Sequence, residues 1–160
     1  MSTIDAPDRA ALPIAGPAPR VLVIQAPYYA EVVGGMRRGA ERVFSETGVA
    51  ADVVDVAGGY ELPAALRMAL RQSEALYDGY LLLGCVIKGE TDHYDFICDA
   101  ICNGVMTIAA ETGAAIGFGL LTVDTLAQAL ARAGDDKHNK GGEAAHAVLG
   151  QIALRRRWGL

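Results

Sequence analysis

The sequence predicts an α/β fold, a three-layer α/β/α sandwich around a four-stranded parallel sheet. Two patterns predict it: short apolar runs without polar alternation, as strands buried on both faces require, and intervening segments whose apolar residues recur every three or four positions. The third observation is size. The 160 residues are 52% hydrophobic, enough for one core and one domain without a disulfide or metal staple.

Residues 1–20 carry four prolines and no periodicity, which predicts a flexible N-terminal arm ahead of a single domain over residues 21–160. Val21, Leu22, Val23 and Ile24 form the first strand. Over residues 31–47, Val32, Val33, Met36, Ala40, Val43 and Phe44 keep helical spacing up to Gly48, a C-cap, although Gly34, Gly35 and Gly39 lower the helix propensity. Residues 52–56 read as a second strand, broken by Gly58 and Gly59. Glu61, Leu62 and Pro63 then open a helix with proline in its first turn and Leu62, Ala65, Leu66, Ala69 and Leu70 on one face. The run 80–87 (YLLLGCVI) is the third strand, followed by the loop 88–92 and a helix that extends to Thr112 before Gly113 stops it. Residues 115–121 supply the fourth strand, 124–133 a short helix capped by Asp124 or Thr122, and 143–156 a terminal helix.

This βαβαβαβαα order, with strands apolar throughout, predicts a parallel sheet covered on both faces and joined by right-handed crossovers. In such sheets ligands bind beyond the carboxyl ends of the strands, so the loops after Ala26, Val56, Ile87 and Leu121 are where chemistry is expected.

Charge narrows the partners. Fourteen Lys and Arg against nineteen Asp and Glu give a net charge of −5, which argues against nucleic acid as the main partner. The longest apolar stretch, 80–87, is far short of the roughly 20 residues that a bilayer span needs. Asp5 and Asp8 interrupt the N-terminus where a signal peptide would need an apolar core, so a cytoplasmic location is expected. Three cysteines, an odd count without an export signal, read as reduced thiols, and Cys98 and Cys102 as small buried hydrophobes rather than metal ligands. Arg155, Arg156 and Arg157 read as a solvated cluster that complements the last helix's dipole.

The segment 84–95 (GCVIKGETDHYD) is richest in chemistry. It runs off the third strand into a helix N-terminus, whose free N–H groups and dipole favour an anion, and Gly89 lets backbone approach it closely. A phosphate fits the N–H groups of Glu90 and Thr91; ordinary capping by Thr91 or Asp92 accounts for the same residues equally well. His93 falls in that helix's first turn, where the dipole disfavours imidazolium and leaves a neutral ring able to accept and return a proton. A structural or surface histidine explains His93 as simply. His138 and His146 read as surface residues. No zinc-like Cys/His spacing, G-x-S-x-G, P-loop or G-x-G-x-x-G is present, so hydrolase-triad, dinucleotide and metal readings have no support.

Taken in order, four blocks closely resemble the 6,7-dimethyl-8-ribityllumazine synthase family, also called the riboflavin synthase beta chain family. They are 58–63 (GGYELP), 84–94 (GCVIKGETDHY), 118–122 (FGLLT) with 128–134, and 139–145 (NKGGEAA). The resemblance covers nearly the whole chain after the arm. It implies a flavodoxin-like sandwich and a step of riboflavin biosynthesis: condensation of 5-amino-6-(D-ribitylamino)uracil with 3,4-dihydroxy-2-butanone 4-phosphate to 6,7-dimethyl-8-ribityllumazine, releasing phosphate and water, without metal or redox cofactor.

By the same resemblance His93 transfers protons, and Glu90 and Thr91 receive the phosphate together with Arg132 from a neighbouring subunit and Lys140. Arginine's fork suits phosphate, although a cation ending a short helix also serves the dipole. Gly59, Tyr60, Cys85, Val86 and Ile87 offer backbone groups to the pyrimidine. Glu61 accepts hydrogen bonds from ribityl hydroxyls, or is simply a first-turn acid. Phe118 closes the site across a subunit boundary, or is core. Tyr28 stands where the family stacks a Phe or Trp on the pyrimidine. The resemblance also implies a homo-oligomer of pentamers, with decamers and sixty-subunit shells as larger forms. The alternative is a catalytically weak relative that binds flavin or lumazine; intact His93, Arg132 and Lys140 favour the enzyme, and Tyr28 is the residue that separates the two.

Overall fold

Successive residues of the first strand part to opposite sides of the sheet, and each side builds its own core. The computed structural model describes residues 14–72, 74 and 76–160, so most of the predicted arm, residues 1–13, lies outside the described residues. The elements run β1 (Arg20–Gln25), α1 (Ala30–Thr47), β2 (Ala50–Asp55), α2 (Glu61–Leu70), β3 (Gly79–Ile87), α3 (His93–Thr112), β4 (Ile116–Val123), α4 (Leu126–Leu130) and α5 (Lys140–Trp158). A 3-10 turn, Pro27–Tyr29, which the periodicity does not announce, joins β1 to α1. The four strands are parallel in the order β2-β1-β3-β4. The predicted three-layer sandwich is therefore what the chain forms.

Val21 and Val23, with Leu81 and Leu83 of β3, face α1 and α5, while Leu22 and Ile24, with Tyr80 and Leu82, face α2 and α3. Leu81, Leu82 and Leu83 are all fully buried, each contributing about 1.5–3 kcal/mol of transfer free energy. Of the predicted apolar face of α2, Leu62 and Leu66 are fully buried. Gly48 and Gly113 end α1 and α3 in the left-handed region, with φ of 68° and 61°.

One strand departs from the prediction of a sheet covered on both faces. Val53 and Val54, neighbours on β2 that point to opposite faces, are 45% and 42% exposed, because β2 is an edge strand whose packing is mainly against β1. The glycines of α1 also have a reason that propensity does not reveal. A Cβ at Gly35 would fall on the Ala133 carbonyl and one at Gly39 on the Asn139 amide, so α1 can only lie this close to the 133–139 connection without side chains there.

Helix boundaries shift where side chains cap them. Thr125, rather than Asp124 or Thr122, caps α4, its Oγ1 accepting from the Gln128 N–H at 3.2 Å, and α4 is correspondingly shorter than 124–133. α5 starts at Lys140 instead of residue 143, because Asn139 caps it. The C-terminal arginines are not a uniform solvated cluster. Arg155 donates to the Gly113 carbonyl, and Arg156 donates to the carbonyls of Ala15 and Pro17 and to Asp78 Oδ1 at 2.8, 2.7 and 2.9 Å. These bonds tie the end of the predicted arm to α5. Cys98 and Cys102 are half-buried rather than buried, and His138 and His146 are half-buried rather than on open surface.

Candidate functional site

The predicted site residues divide between two concave regions. The first, a cavity of about 430 Å³, lies beyond the carboxyl ends of β1 and β3, where a parallel sheet places its ligands. Its walls are the 27–29 turn, the segment 57–61, the end of β3 and the start of α3. The structure gathers Tyr28, Gly59, Tyr60, Glu61, Cys85, Val86, Ile87, Thr91 and His93 here. Glu90 is exposed and lines neither region.

Aromatic rings dominate the cavity's mouth. Tyr28, in the 3-10 turn and 77% exposed, meets Tyr29 edge-on with centroids 5.1 Å apart, and the Tyr60 ring lies 5.9 Å from the His93 imidazole at 57°. A flat heterocycle has faces to stack on, and a histidine stands beside them as the first residue of α3. Ordinary capping does not occupy that helix end. Asp92 adopts helical angles (φ −68°, ψ −2°) and its side chain makes no capping bond; the Asp95 N–H donates to the Asp92 carbonyl at 3.1 Å, which leaves those of His93 and Tyr94 to meet an anion. Gly89 has open space around it, so backbone is accessible on that side too.

Cys85 contributes wall rather than nucleophile. Burial pushes its thiol up to about 11, so the sulfur is protonated and unreactive at neutral pH. Tyr94, which also lines the cavity, has its phenol raised by burial, while a hydrogen bond from the Thr122 side chain opposes that shift.

The second region is a cleft of about 520 Å³ along the outer edge of β4, lined by the consecutive residues 118–123 and by Arg132, Lys140 and Glu143. Phe118 is half-buried, packing on the core beneath α2 and α3 while also lining the cleft. Arg132 is braced by donating from Nη1 to the Gln128 carbonyl at 2.9 Å, and its own carbonyl accepts from the Lys140 N–H at 2.9 Å. The two cations thus share one backbone frame. Lys140 Nζ donates to Glu143 Oε1 at 2.6 Å, with both side chains about three-quarters buried.

Asn139 holds that frame, and sequence reasoning assigned it no role. It is 2% exposed; its Nδ2 donates to the carbonyls of Gly35 (3.0 Å) and Gly134 (2.8 Å), while Oδ1 accepts from the N–H groups of Gly141 (2.9 Å) and Gly142 (3.1 Å). A buried amide that fills all four of these bonds fixes α5, the 134–139 connection and α1 together. The signal in the sequence is faint: an Asn directly before a helix is a good cap, but nothing local says that it is buried. Tyr29, Tyr94 and Ile97 also line the first cavity without having been assigned to it, and each sits next to, or one turn from, a residue that was.

Among the described residues no group of three His, Cys, Asp or Glu side chains is placed to hold a metal ion, and no helix is long and apolar enough to cross a membrane.

Comparison with known proteins places this architecture. The family model described as 6,7-dimethyl-8-ribityllumazine synthase matches residues 18–156. A 6,7-dimethyl-8-ribityllumazine synthase from Bartonella bacilliformis is 41% identical over 141 residues, covering 88% of this chain and 93% of the relative. Proteins of the same name from Paramagnetospirillum magneticum (41% over 146 residues, 88% and 97% covered) and Methylobacterium radiotolerans (42% over 137 residues, 86% and 82% covered) are similarly close. A match of this extent, on a four-stranded parallel sheet with the predicted strand and helix order, means that the chain belongs to the 6,7-dimethyl-8-ribityllumazine synthase family.

Proposed function

We propose that this chain is a transferase of riboflavin biosynthesis that condenses 5-amino-6-(D-ribitylamino)uracil with 3,4-dihydroxy-2-butanone 4-phosphate, releasing phosphate and water. Family membership carries the reading, and the cavity beside His93 supports it. The pyrimidine stacks on Tyr28 and meets the backbone of Gly59, Tyr60 and residues 85–87, while Glu61 accepts from the ribityl chain. The butanone's phosphate rests on the Thr91 backbone, Arg132 and Lys140. Amine addition to the ketone, dehydration, phosphate elimination and ring closure each move a proton, and His93 takes and returns it. Positioning and charge neutralisation supply the remainder, without a metal or redox cofactor.

The site is completed between copies. Phe118, Arg132 and Lys140 line a cleft separate from the cavity that holds His93, which favours a ring in which one protomer's cleft closes its neighbour's cavity. A pentamer is the smallest such assembly, and decamers or sixty-subunit shells are built from it. The enzyme acts in the cytoplasm as one domain preceded by its N-terminal arm.

The test mixes the purified protein with both substrates and follows the fluorescent lumazine against a control without enzyme. Acceleration that is lost in His93→Ala is expected. No acceleration from assembled protein overturns the reading.

A further inference from the structure

The second cleft contains an acid that the proposed reaction does not use. Glu143 lines it beside Arg132 and Lys140, and its Oε1 lies 2.6 Å from Lys140 Nζ, with the two side chains 20% and 24% exposed. An anion that reaches Lys140 therefore also meets a carboxylate in a half-buried setting, where charge is poorly screened. The backbone offers no relief. In the first turn of α5 the N–H groups of Gly141 and Gly142 donate to Asn139 Oδ1, that of Lys140 to the Arg132 carbonyl and that of Glu143 to the Asn139 carbonyl. An anion here is held by side chains, and the three that bear charge sum to one positive, not two.

We infer that Glu143 sets how tightly this cleft holds phosphate: its charge weakens the grip of Arg132 and Lys140 so that inorganic phosphate leaves once it has been eliminated. The inference rests on the proposed role of those two cations. A second net positive charge would favour capture of the phosphate ester and of inorganic phosphate alike, and the product would then remain in the site. Glu143 acts through its charge on the anion, whereas a residue that merely kept Lys140 in place would strengthen binding by its presence.

The two possibilities predict opposite signs for the same substitution. Calorimetric titration of the assembled full-length protein with inorganic phosphate is expected to show about tenfold tighter binding in Glu143→Gln, the effect of one unit charge a few ångströms away in a partly screened site. Glu143→Asp keeps the charge while giving up the close contact, and is expected to bind within about twofold of the unsubstituted protein. Glu46→Gln, which removes an exposed acid on α1, controls for net charge and leaves binding unchanged. Equal or weaker binding in Glu143→Gln, tightening in Glu143→Asp, or no phosphate binding by any variant overturns the inference. Lumazine formation by the same preparations reports separately: turnover with any of those results leaves the proposed function standing, and absent turnover with the expected results leaves Glu143's control of phosphate affinity standing while removing its link to product release.

Discussion

The two concave regions each adjoin the start of a long helix, and the two helix ends are finished in opposite ways. At α3 the capping position, Asp92, makes no side-chain bond to the first turn; at α5, Asn139 is buried and fills it. One end keeps the His93 and Tyr94 backbone donors for a ligand, and the other gives its donors up to hold a scaffold that presents Arg132, Lys140 and Glu143. The difference teaches that an anion can be received by backbone or by side chains. Only the side-chain arrangement can be tuned by adding an opposing charge.

The largest expected effect tests the filled end. Asn139→Ala removes four hydrogen bonds and leaves the Gly141 and Gly142 N–H groups and the Gly35 and Gly134 carbonyls short of partners. At the usual cost of unmet buried groups, a stability loss of about 3 kcal/mol or more is expected in urea or guanidinium unfolding. A loss below about 1 kcal/mol would mean that water replaces the amide and that the scaffold is less rigid than its bonds suggest.

Kinetics separates the regions next. His93→Ala is expected to lower kcat by about 10²-fold and leave a residue of activity, since proton transfer is one contribution among several. Arg132→Ala is expected to raise KM for the butanone phosphate by about tenfold with a smaller change in kcat, the loss of charge-assisted bonds that a bound phosphate makes throughout. An unchanged KM would remove Arg132 from phosphate binding. The pair also tests whether sites are shared: when the two variants are dissociated, mixed equally and reassembled, about a quarter of shared sites regain an intact cavity and an intact cleft. Recovery of activity at low butanone phosphate concentration is the expected outcome, and no recovery from mixed assemblies would place both halves of a site in one protomer.

The first region was far more legible in the sequence than the second, for a physical reason. Tyr60, Glu61, residues 85–87 and His93 lie where a strand hands over to a helix, and apolar runs followed by Gly and polar residues announce such places. The cleft depends on contacts between distant segments. Asn139 is buried because Gly35, Gly39 and Gly141 let α1 and α5 approach, and glycines within α1 look, locally, like weaknesses of a helix. Covered faces were inferred for every strand from apolar content, yet Val53 and Val54 are no less apolar than buried neighbours; what exposes them is the edge position of β2, which periodicity does not encode. The roles of Arg132 and Lys140 follow from the family resemblance, and local sequence alone explains Arg132 adequately as a cation ending a short helix. That the backbone of one hydrogen-bonds the other is a fact of the tertiary fold.

The smallest effect tests the open end. Since the Asp92 side chain bonds to nothing in the first turn of α3, Asp92→Ala forfeits only a favourable interaction of its charge with the helix dipole, at an exposed site where that is worth about 0.3–0.5 kcal/mol. Unfolding of Asp92→Ala should therefore sit within about 0.5 kcal/mol of the unsubstituted protein, against the much larger loss at Asn139. The same substitution removes a negative charge from the mouth of a helix end proposed to receive phosphate, so KM for the butanone phosphate should fall modestly instead of rising. A stability loss near 1 kcal/mol would show that Asp92 swings in to cap α3 in solution. The N–H groups of that first turn would then be shared between the protein and its ligand, and the two helix ends would differ in degree, not in kind.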